Sequence, residues 1–600
     1  MKQRGFTLIE LLSVIVILAI IALIATPIVL DIINESKEKA YGNSVESIMH
    51  AAKIYNTKSQ FKNSLVMDQN IYSEVMEMVD GEKPKSGNLY INADGEIAFA
   101  FQYGELCYSK SYEDDTYTKE KTNVCNVPFY YLKSVSVQTN GDNQPFLENT
   151  YGISKAKIEE IITVNSNKVS DDAIYSWEVT DQENVKEEYK VMAWCLDVDK
   201  DGLYEVYIGQ NGGVKANPNS SKLFAYLTNV TKIDLKNFDT SNVTTMMGMF
   251  NYCKNLQILD LSNFNTSKVT TMAGMFQQCN SLIELNLSSF DTSNVTDISY
   301  MFNKCYALTK LNLSKFNTSK VTTMVAMFQY CESLTKLNLS NFDTSNVTTM
   351  AGMFNCCKNL QTLNLSNFDT SNVTTMAMMF QQCNSLIELD LSSFNTSKVE
   401  NMELMFNKCY ALTRLDLSKF NTSKVTTMAG MFQQCNSLIE LDLSGFNTSK
   451  VENMEGMFSG CEILTKLDLS NFNTSNVIKM SGMFQNCYNL KELNLNKWNT
   501  SKATTMSHMF NNCKALIELD LSTFDTSKVE YISYMFNNCQ SLKQINLKQA
   551  TFESIKENEY NKVFNGATTL NKIIVEDDEA ITWLQARIND NGLTALVSKT

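Results

Sequence analysis

The chain of 600 residues is longer than one hydrophobic core usually serves, so more than one folding unit is expected. Its formal net charge of −14, with 51 Lys+Arg against 65 Asp+Glu, argues against nucleic acid as a partner, because gripping phosphates needs clustered cations. The two histidines, His50 and His508, stand far apart, which leaves histidine-based catalysis or metal chemistry almost nothing to use; no enzymatic activity and no cofactor are expected.

After Lys2 and Arg4, twenty residues from Leu11 to Leu30 run without a charge, interrupted only by Ser13, Thr26 and Pro27. At ~1.5 Å rise per residue a helix of that length crosses a bilayer core of ~30 Å. The helical pattern continues through Asp31, Glu35, Lys37 and Glu38 towards Tyr55, so the apolar run belongs to a longer helix and not to a removable secretory signal. The text Lys2-Gln3-Arg4-Gly5-Phe6-Thr7-Leu8-Ile9-Glu10-Leu11-Leu12 resembles the processing motif of type IV prepilins and pseudopilins. The resemblance implies that a prepilin peptidase cuts between Gly5 and Phe6, and that the new Phe6 amine is methylated. It also implies that Glu10 pairs with the Phe6 amine of a neighbouring subunit during helix assembly, a use that fits the cost of a carboxylate in an apolar helix. The alternative is a plain signal anchor, with Glu10 reaching back to the interface and nothing cleaved.

Beyond the helix, Leu89-Tyr90-Ile91-Asn92 and Ile97-Ala98-Phe99-Ala100-Phe101 alternate about the turn Asn92–Gly95 and read as a hairpin. Cys107 and Cys125 lie eighteen residues apart in a segment expected to be exported, which permits a disulfide. Residues 151–171 look helical. The run Asp197-Val-Asp199-Lys-Asp201-Gly202 has the alternate carboxylates of a calcium loop, but position twelve is Ile208 where a bidentate Glu belongs; an acidic hairpin turn leading into Tyr204–Gly209 is the plainer reading.

From Phe250 onward, Met-Phe pairs recur every 26 residues to Phe536, and a cysteine column from Cys253 to Cys539 keeps the same interval, the mark of a solenoid. Within a module, Leu285 and Leu287 alternate with polar neighbours and predict a short strand. Ile298, Met301, Phe302 and Cys305 step by three and four and predict a short helix, with an Asp/Asn-Thr-Ser corner between. The phrase at 259–276, Leu-Asp-Leu-Ser-Asn-Phe-Asn-Thr-Ser-Lys-Val-Thr-Thr-Met-Ala-Gly-Met-Phe, is similar to the BspA-like leucine-rich repeats of bacterial surface proteins. That likeness implies adhesion to a protein ligand on host or neighbouring cells. The cysteines read as small buried apolar residues and not as ligands, because metal ligands cluster about one centre instead of lining an axis.

The expected fold is therefore α/β: a leader (1–5), a pilin-type helix (6–55, with its membrane span at 11–30), a small β-rich pilin-like head (56–135) and a linking α+β region (136–205). A solenoid cap (206–226), about 13 coils of leucine-rich repeat (227–575) and a helical cap (576–600) follow. On the strand face the outward residues are Glu284/Asn286, Lys310/Asn312, Lys336/Asn338, Thr362/Asn364, Glu388/Asp390, Arg414/Asp416, Glu440/Asp442 and Lys466/Asp468, and this double column is the candidate binding face. The resulting expectation is a single-pass protein of the bacterial cytoplasmic membrane with its bulk outside the cell. Its partners would be other pilin or pseudopilin subunits, the peptidase and a protein ligand; the competing role is as a pseudopilin of a secretion or DNA-uptake apparatus.

Overall fold

The structure is a computed structural model and describes residues 8–61, 71–80, 82–91, 97–110, 116–121, 125, 131–133, 153–181 and 189–599. The chain divides into two compact units, Met1–Tyr130 and Tyr131–Thr600.

In the first unit, α1 (Leu8–Phe61) runs unbroken through Pro27. Among the described residues no helix is long and apolar enough to cross a membrane; most side chains of the 11–30 run lie outside the described set. After the short helix α2 (Tyr72–Met76) come β1 (Ser86–Ile91), β2 (Ile97–Tyr103), β3 (Leu106–Lys110) and β4 (Thr118–Lys121), an antiparallel meander in sequence order. β1 and β2 form the expected hairpin, with Ile91 opposite Ile97; its turn falls outside the described residues. Val45, Ile48 and Ala52 of α1 pack with Leu89, Phe99 and Phe101 in one buried cluster, so the sheet covers the polar-flanked second half of the helix.

The second unit begins with β5 (Ile158–Val164), which corrects the helix expected at 151–171. A register shift between Ile158 and Glu160 puts Ile158 and Ile161 both inward at a spacing of three, which imitates a helical period in the sequence. β6 (Tyr175–Glu178), β7 (Met192–Leu196) and β8 (Tyr204–Gly209) follow, then the short strands β9 (Val214–Lys215), β10 (Lys232–Asp234), β11 (Phe238–Asp239) and β12 (Ile258–Leu259). One six-stranded sheet runs in the order β12-β10-β5-β8-β7-β6, so residues expected to form a separate linking region share a sheet with the first coils. That sheet shields the apolar end of the stack, as a terminal cap must.

Beyond it, coils stack in parallel at a step of 26 residues, through bridges such as Thr271↔Asp297, Asp297↔Thr323 and Thr323↔Thr349 and through three-residue strands such as Glu284–Asn286 on Lys310–Asn312. Three of the columns that run through the interior show how the coils are joined. The Met-Phe phenylalanines, with Phe224 before them and Phe564 after, stack with ring centroids 5.5–5.8 Å apart. Each column thiol donates to the carbonyl of the Phe 29 residues earlier, as Cys279 to Phe250 at 3.2 Å. In each corner a buried threonine donates to the backbone of the next coil, and in most it also accepts: the Thr396 hydroxyl donates to the Asn421 carbonyl at 3.0 Å and accepts from the Asn421 N–H at 2.8 Å.

The short helix expected in each coil is a run of turns. In one coil the N–H groups of Met428, Gly430, Phe432 and Gln434 donate to the next coil, while those of Met431, Gln433 and Cys435 bond three residues back. Gly430 (φ +57°) and Gln434 (φ +59°) are left-handed, and this four-residue alternation produced the helix-like spacing. The repeats are thus strand and turn, and the fold is mostly β with few helices instead of α/β. At the end, α3 (Asp578–Asp590) is capped by the Asp577 carboxylate, which accepts from the Ala580 N–H at 2.6 Å. The chain then returns as the strand Leu596–Ser598 beside Lys572–Ile574, so the expected all-helical cap is corrected to helix plus strand.

Candidate functional site

Every member of the double column is solvent-exposed. The leucine between the two columns faces inward, so the pleat alone sends its neighbours out. The columns differ in chemistry. In the second, one side-chain oxygen is committed to the fold: Asn286, Asn312 and Asn338 accept from Ser288, Ser314 and Ser340 N–H at 3.1 Å, and Asp390, Asp416 and Asp468 from Ser392, Ser418 and Ser470 N–H at 2.9 Å. Asp442 holds Ser444 N–H at 2.8 Å and Asn364 holds Ser366 N–H at 3.0 Å. For Asp390 and Asp468 the backbone hydrogen bond, and for Asp416 the serine side chain, is the leading cause that lowers the carboxyl below its ordinary pKa.

The first column is free of such duty. Lys310 reaches back to Glu284 at 3.1 Å and Arg414 forward to Glu440 at 2.5 Å, both across exposed surface where such pairs contribute little. Lys336, Glu388 and Lys466 make no ion pair among the described residues. A shallow groove of about 1230 Å3 runs over Lys310, Lys336, Thr362 and Glu388, floored by Leu337 and Leu363. Broad and open, it suits a macromolecular surface more than a small substrate.

Gly5 and Phe6 lie outside the described residues; Glu10 lies in α1, with its side chain outside the described set. Cys107 and Cys125 form a disulfide, which ties the segment after β4 to β3. The fourteen other cysteines are buried and free. Burial pushes the Cys305, Cys409 and Cys487 thiols up to about 12, as expected of groups with no route to a stabilised thiolate. Cys356, which sits beside Cys357 and outside the 26-residue column, is buried too.

Asp197, Asp199 and Asp201 form the turn between β7 and β8, whose strands pair antiparallel as the hairpin reading requires. Asp201 N–H donates to Asp199 at 3.3 Å and Leu203 N–H to Asp201 at 2.7 Å. Asp199 and Asp201 meet Glu159 of β5, with carboxylate oxygens within 4.8 Å of one another, while Asp197 is not part of the group. Burial, then the charges of Asp201 and Asp199, raise the Glu159 pKa. Glu159 was not foreseeable: only the parallel β5–β8 pairing brings it to a turn forty residues later.

A chain led by a long helix and carrying a stack of 26-residue repeat coils defines a class: a surface protein built of repeats. Residues 1–26 match the Prokaryotic N-terminal methylation motif. The family described as "Mycoplasma protein of unknown function, DUF285" matches at 219–336, 306–415, 331–440, 386–487, 408–516 and 464–577, and the chain belongs to this family, whose repeat is the BspA-like phrase of the sequence. Among curated proteins none matches. Solved structures with similarity include a TLR13–ssRNA13 complex (20% identity, 55% of this chain and 55% of that chain, TM-score 0.20). The functional domain of InlJ from Listeria monocytogenes, described as including a cysteine ladder, matches at 18% identity over 59% of this chain and 70% of that one, TM-score 0.18. A complex of Latrophilin 3, Unc5D and the leucine-rich repeats of FLRT2 matches at 14% identity over 60% and 83%, TM-score 0.18. The chain thus spans about half the length of the first of these.

Proposed function

We propose that the protein is an adhesin handled as a prepilin. It is cut between Gly5 and Phe6, methylated at Phe6 and held in the membrane by residues 11–30, with Glu10 pairing to the Phe6 amine of a neighbouring subunit. The repeat stack outside the cell binds a protein ligand through its strand face and catalyses nothing. One observation carries the binding claim. The first column (Glu284, Lys310, Lys336, Glu388, Arg414, Glu440, Lys466) is exposed and owes the fold no turn-closing hydrogen bond, whereas every second-column residue does. The match of residues 1–26 to the methylation motif supports the processing claim.

Mass spectrometry of the N-terminus of protein from its native host tests the first claim. A chain starting at methylated Phe6 is expected; an intact Met1, or a cut near residues 25–35, refutes it. For the second, Lys336→Glu with Lys466→Glu should weaken attachment of cells while leaving surface display intact. Unchanged attachment would remove the strand face from the mechanism. Loss of secretion or DNA uptake in a deletion strain, with attachment preserved, would instead establish the pseudopilin role, which the same motif allows.

A further inference from the structure

On the turn side of the stack, the left-handed position two residues before each stacked Phe differs from coil to coil. Tyr300, Ala326, Met378, Leu404, His508 and Tyr534 occupy it with side chains, whereas Gly430, Gly456 and Gly482 leave three successive coils bare. A trough of about 380 Å3 lies over them, bounded by Leu404 at one end and His508 at the other. Its backbone is satisfied: the N–H groups of Gly430, Gly456 and Gly482 donate to the carbonyls of Glu455, Ser481 and Ser507 at 2.8 Å.

The side chains are not. In earlier coils an amide ladder crosses this face, Asn251 to Gln277 at 3.0 Å, Gln277 to Asn303 at 3.2 Å and Asn303 to Gln329 at 2.8 Å. It resumes from Gln381 to Asn407 and from Asn407 to Gln433, lapses at Ser459 and Gln485, and returns from Asn537 to Asn511 and from Asn565 to Asn537. The next coil carries Ser459 where its neighbours carry Gln433 and Gln485. Ser459 is only 6% exposed, its side chain lines the trough, and its hydroxyl has no hydrogen-bond partner among the described residues.

We propose that this trough binds an uncharged glycan lying along the stack, a second binding site beyond the strand face. Ser459, Ser481, Ser507 and the amides of Gln433 and Gln485 offer donors and acceptors side by side, the arrangement that vicinal hydroxyls satisfy. Coils spaced by ~4.8 Å advance at close to the step of one pyranose in an extended 1,4-linked chain, so successive sugars meet successive coils. Glu455 is the one acidic residue lining the trough and no Lys or Arg lines it, which disfavours a sulfated or phosphorylated polymer. Burial lowers the His508 pKa, and its ring stacks on Tyr534 at 4.8 Å as an edge for a terminal sugar. A peptide strand finds no unpaired backbone to join.

The test is calorimetric titration of the full-length protein in detergent with cellohexaose and with chitohexaose. Ser459→Gln supplies the residue that adjacent coils already hold, so it fills the trough and extends the ladder without backbone strain. Saturable binding of either glycan is expected, weakened at least about tenfold in S459Q and in Ser481→Gln on the rim, with melting of S459Q no lower than wild type and with Lys336→Glu binding as wild type does. No binding of either glycan up to roughly 10 mM, equal binding by S459Q, or preferential binding of a heparin fragment or a peptide would overturn the proposal.

Discussion

Replacing Thr396 by valine tests what joins one coil to the next. The substitution keeps the shape of a residue that is 1% exposed and deletes a hydroxyl that donates to the Asn421 carbonyl at 3.0 Å and accepts from the Asn421 N–H at 2.8 Å. Two hydrogen bonds worth ~0.5–1.5 kcal/mol each disappear, and the Asn421 peptide is left partly buried with neither partner, so a loss of about 2–3 kcal/mol is expected. Because a coil of a solenoid touches only its neighbours, the loss should appear as local opening, not as uniform weakening. Hydrogen exchange of the full-length protein in detergent, read by mass spectrometry, should show amides of 390–425 exchanging roughly 30- to 140-fold faster, with peptides from 230–260 unchanged. Thr396→Ser keeps the hydroxyl and should stay near wild type. Wild-type exchange in the valine variant, an equal defect in the serine variant, or acceleration spread along the whole stack would each refute the reasoning.

Other outcomes follow from the same geometry. Gly456→Ala should lower stability by about 1 kcal/mol in urea titration, since φ is +59° and the added Cβ meets nothing closer than 3.6 Å, so that the cost is conformational alone. Iodoacetamide at about pH 8 should leave Cys305, Cys409 and Cys487 unlabelled in the native protein, because burial pushes these thiols up to about 12; labelling should appear only as the stack unfolds. Asp390, Asp416 and Asp468 have depressed folded pKa values, so their contribution is present above the unfolded value of ~3.9 and fades as pH falls through the folded one. Melting temperature should therefore drop on acidification below about pH 4, and Asp416→Asn should reduce the drop, because asparagine already closes the same turn at Asn312.

Periodicity made the stack legible because a strictly repeated unit writes its contacts into the sequence at a fixed interval. Phe276 and Phe302 stack since each coil places the same ring at the same height. The alternation of Leu285 and Leu287 gave the strand correctly, yet the three- and four-residue steps of Ile298, Met301 and Phe302 gave a helix that does not form. A hydrophobic period reports which side chains face inward, not which backbone route brings them there, and left-handed turns at every fourth residue share that period with an α-helix. The bulge beside Ile158 misled in the same way. Of the candidate face, exposure was readable from the pleat. The division of labour between Lys336 and Asn338 was not, because the Asn338 bond to Ser340 depends on a turn conformation. Glu159 and the Ser459 trough depend on contacts between strands and between coils, where one residue's meaning is set by another far along the chain.

Variation inside the array locates where it is free to differ. The corner threonine is identical from Thr240 to Thr526, and the cysteine column from Cys253 to Cys539, because each must mate with the same atoms above and below; a change in one coil breaks two interfaces. Outward positions other than the turn-closing Asn/Asp column carry no such constraint: the first column reads Glu, Lys, Lys, Thr, Glu, Arg, Glu, Lys from residue 284 to 466, while the left-handed position reads Tyr, Ala, Gly, Met, Leu, Gly, Gly, Gly, His from residue 300 to 508. A repeat multiplied only to lengthen a spacer would have no reason to vary more on two faces than its solubility demands. Two surfaces that change chemistry coil by coil over an unchanging interior are what the proposed binding role requires: the columns maintain the fold, and the residues beside them can vary without disturbing it.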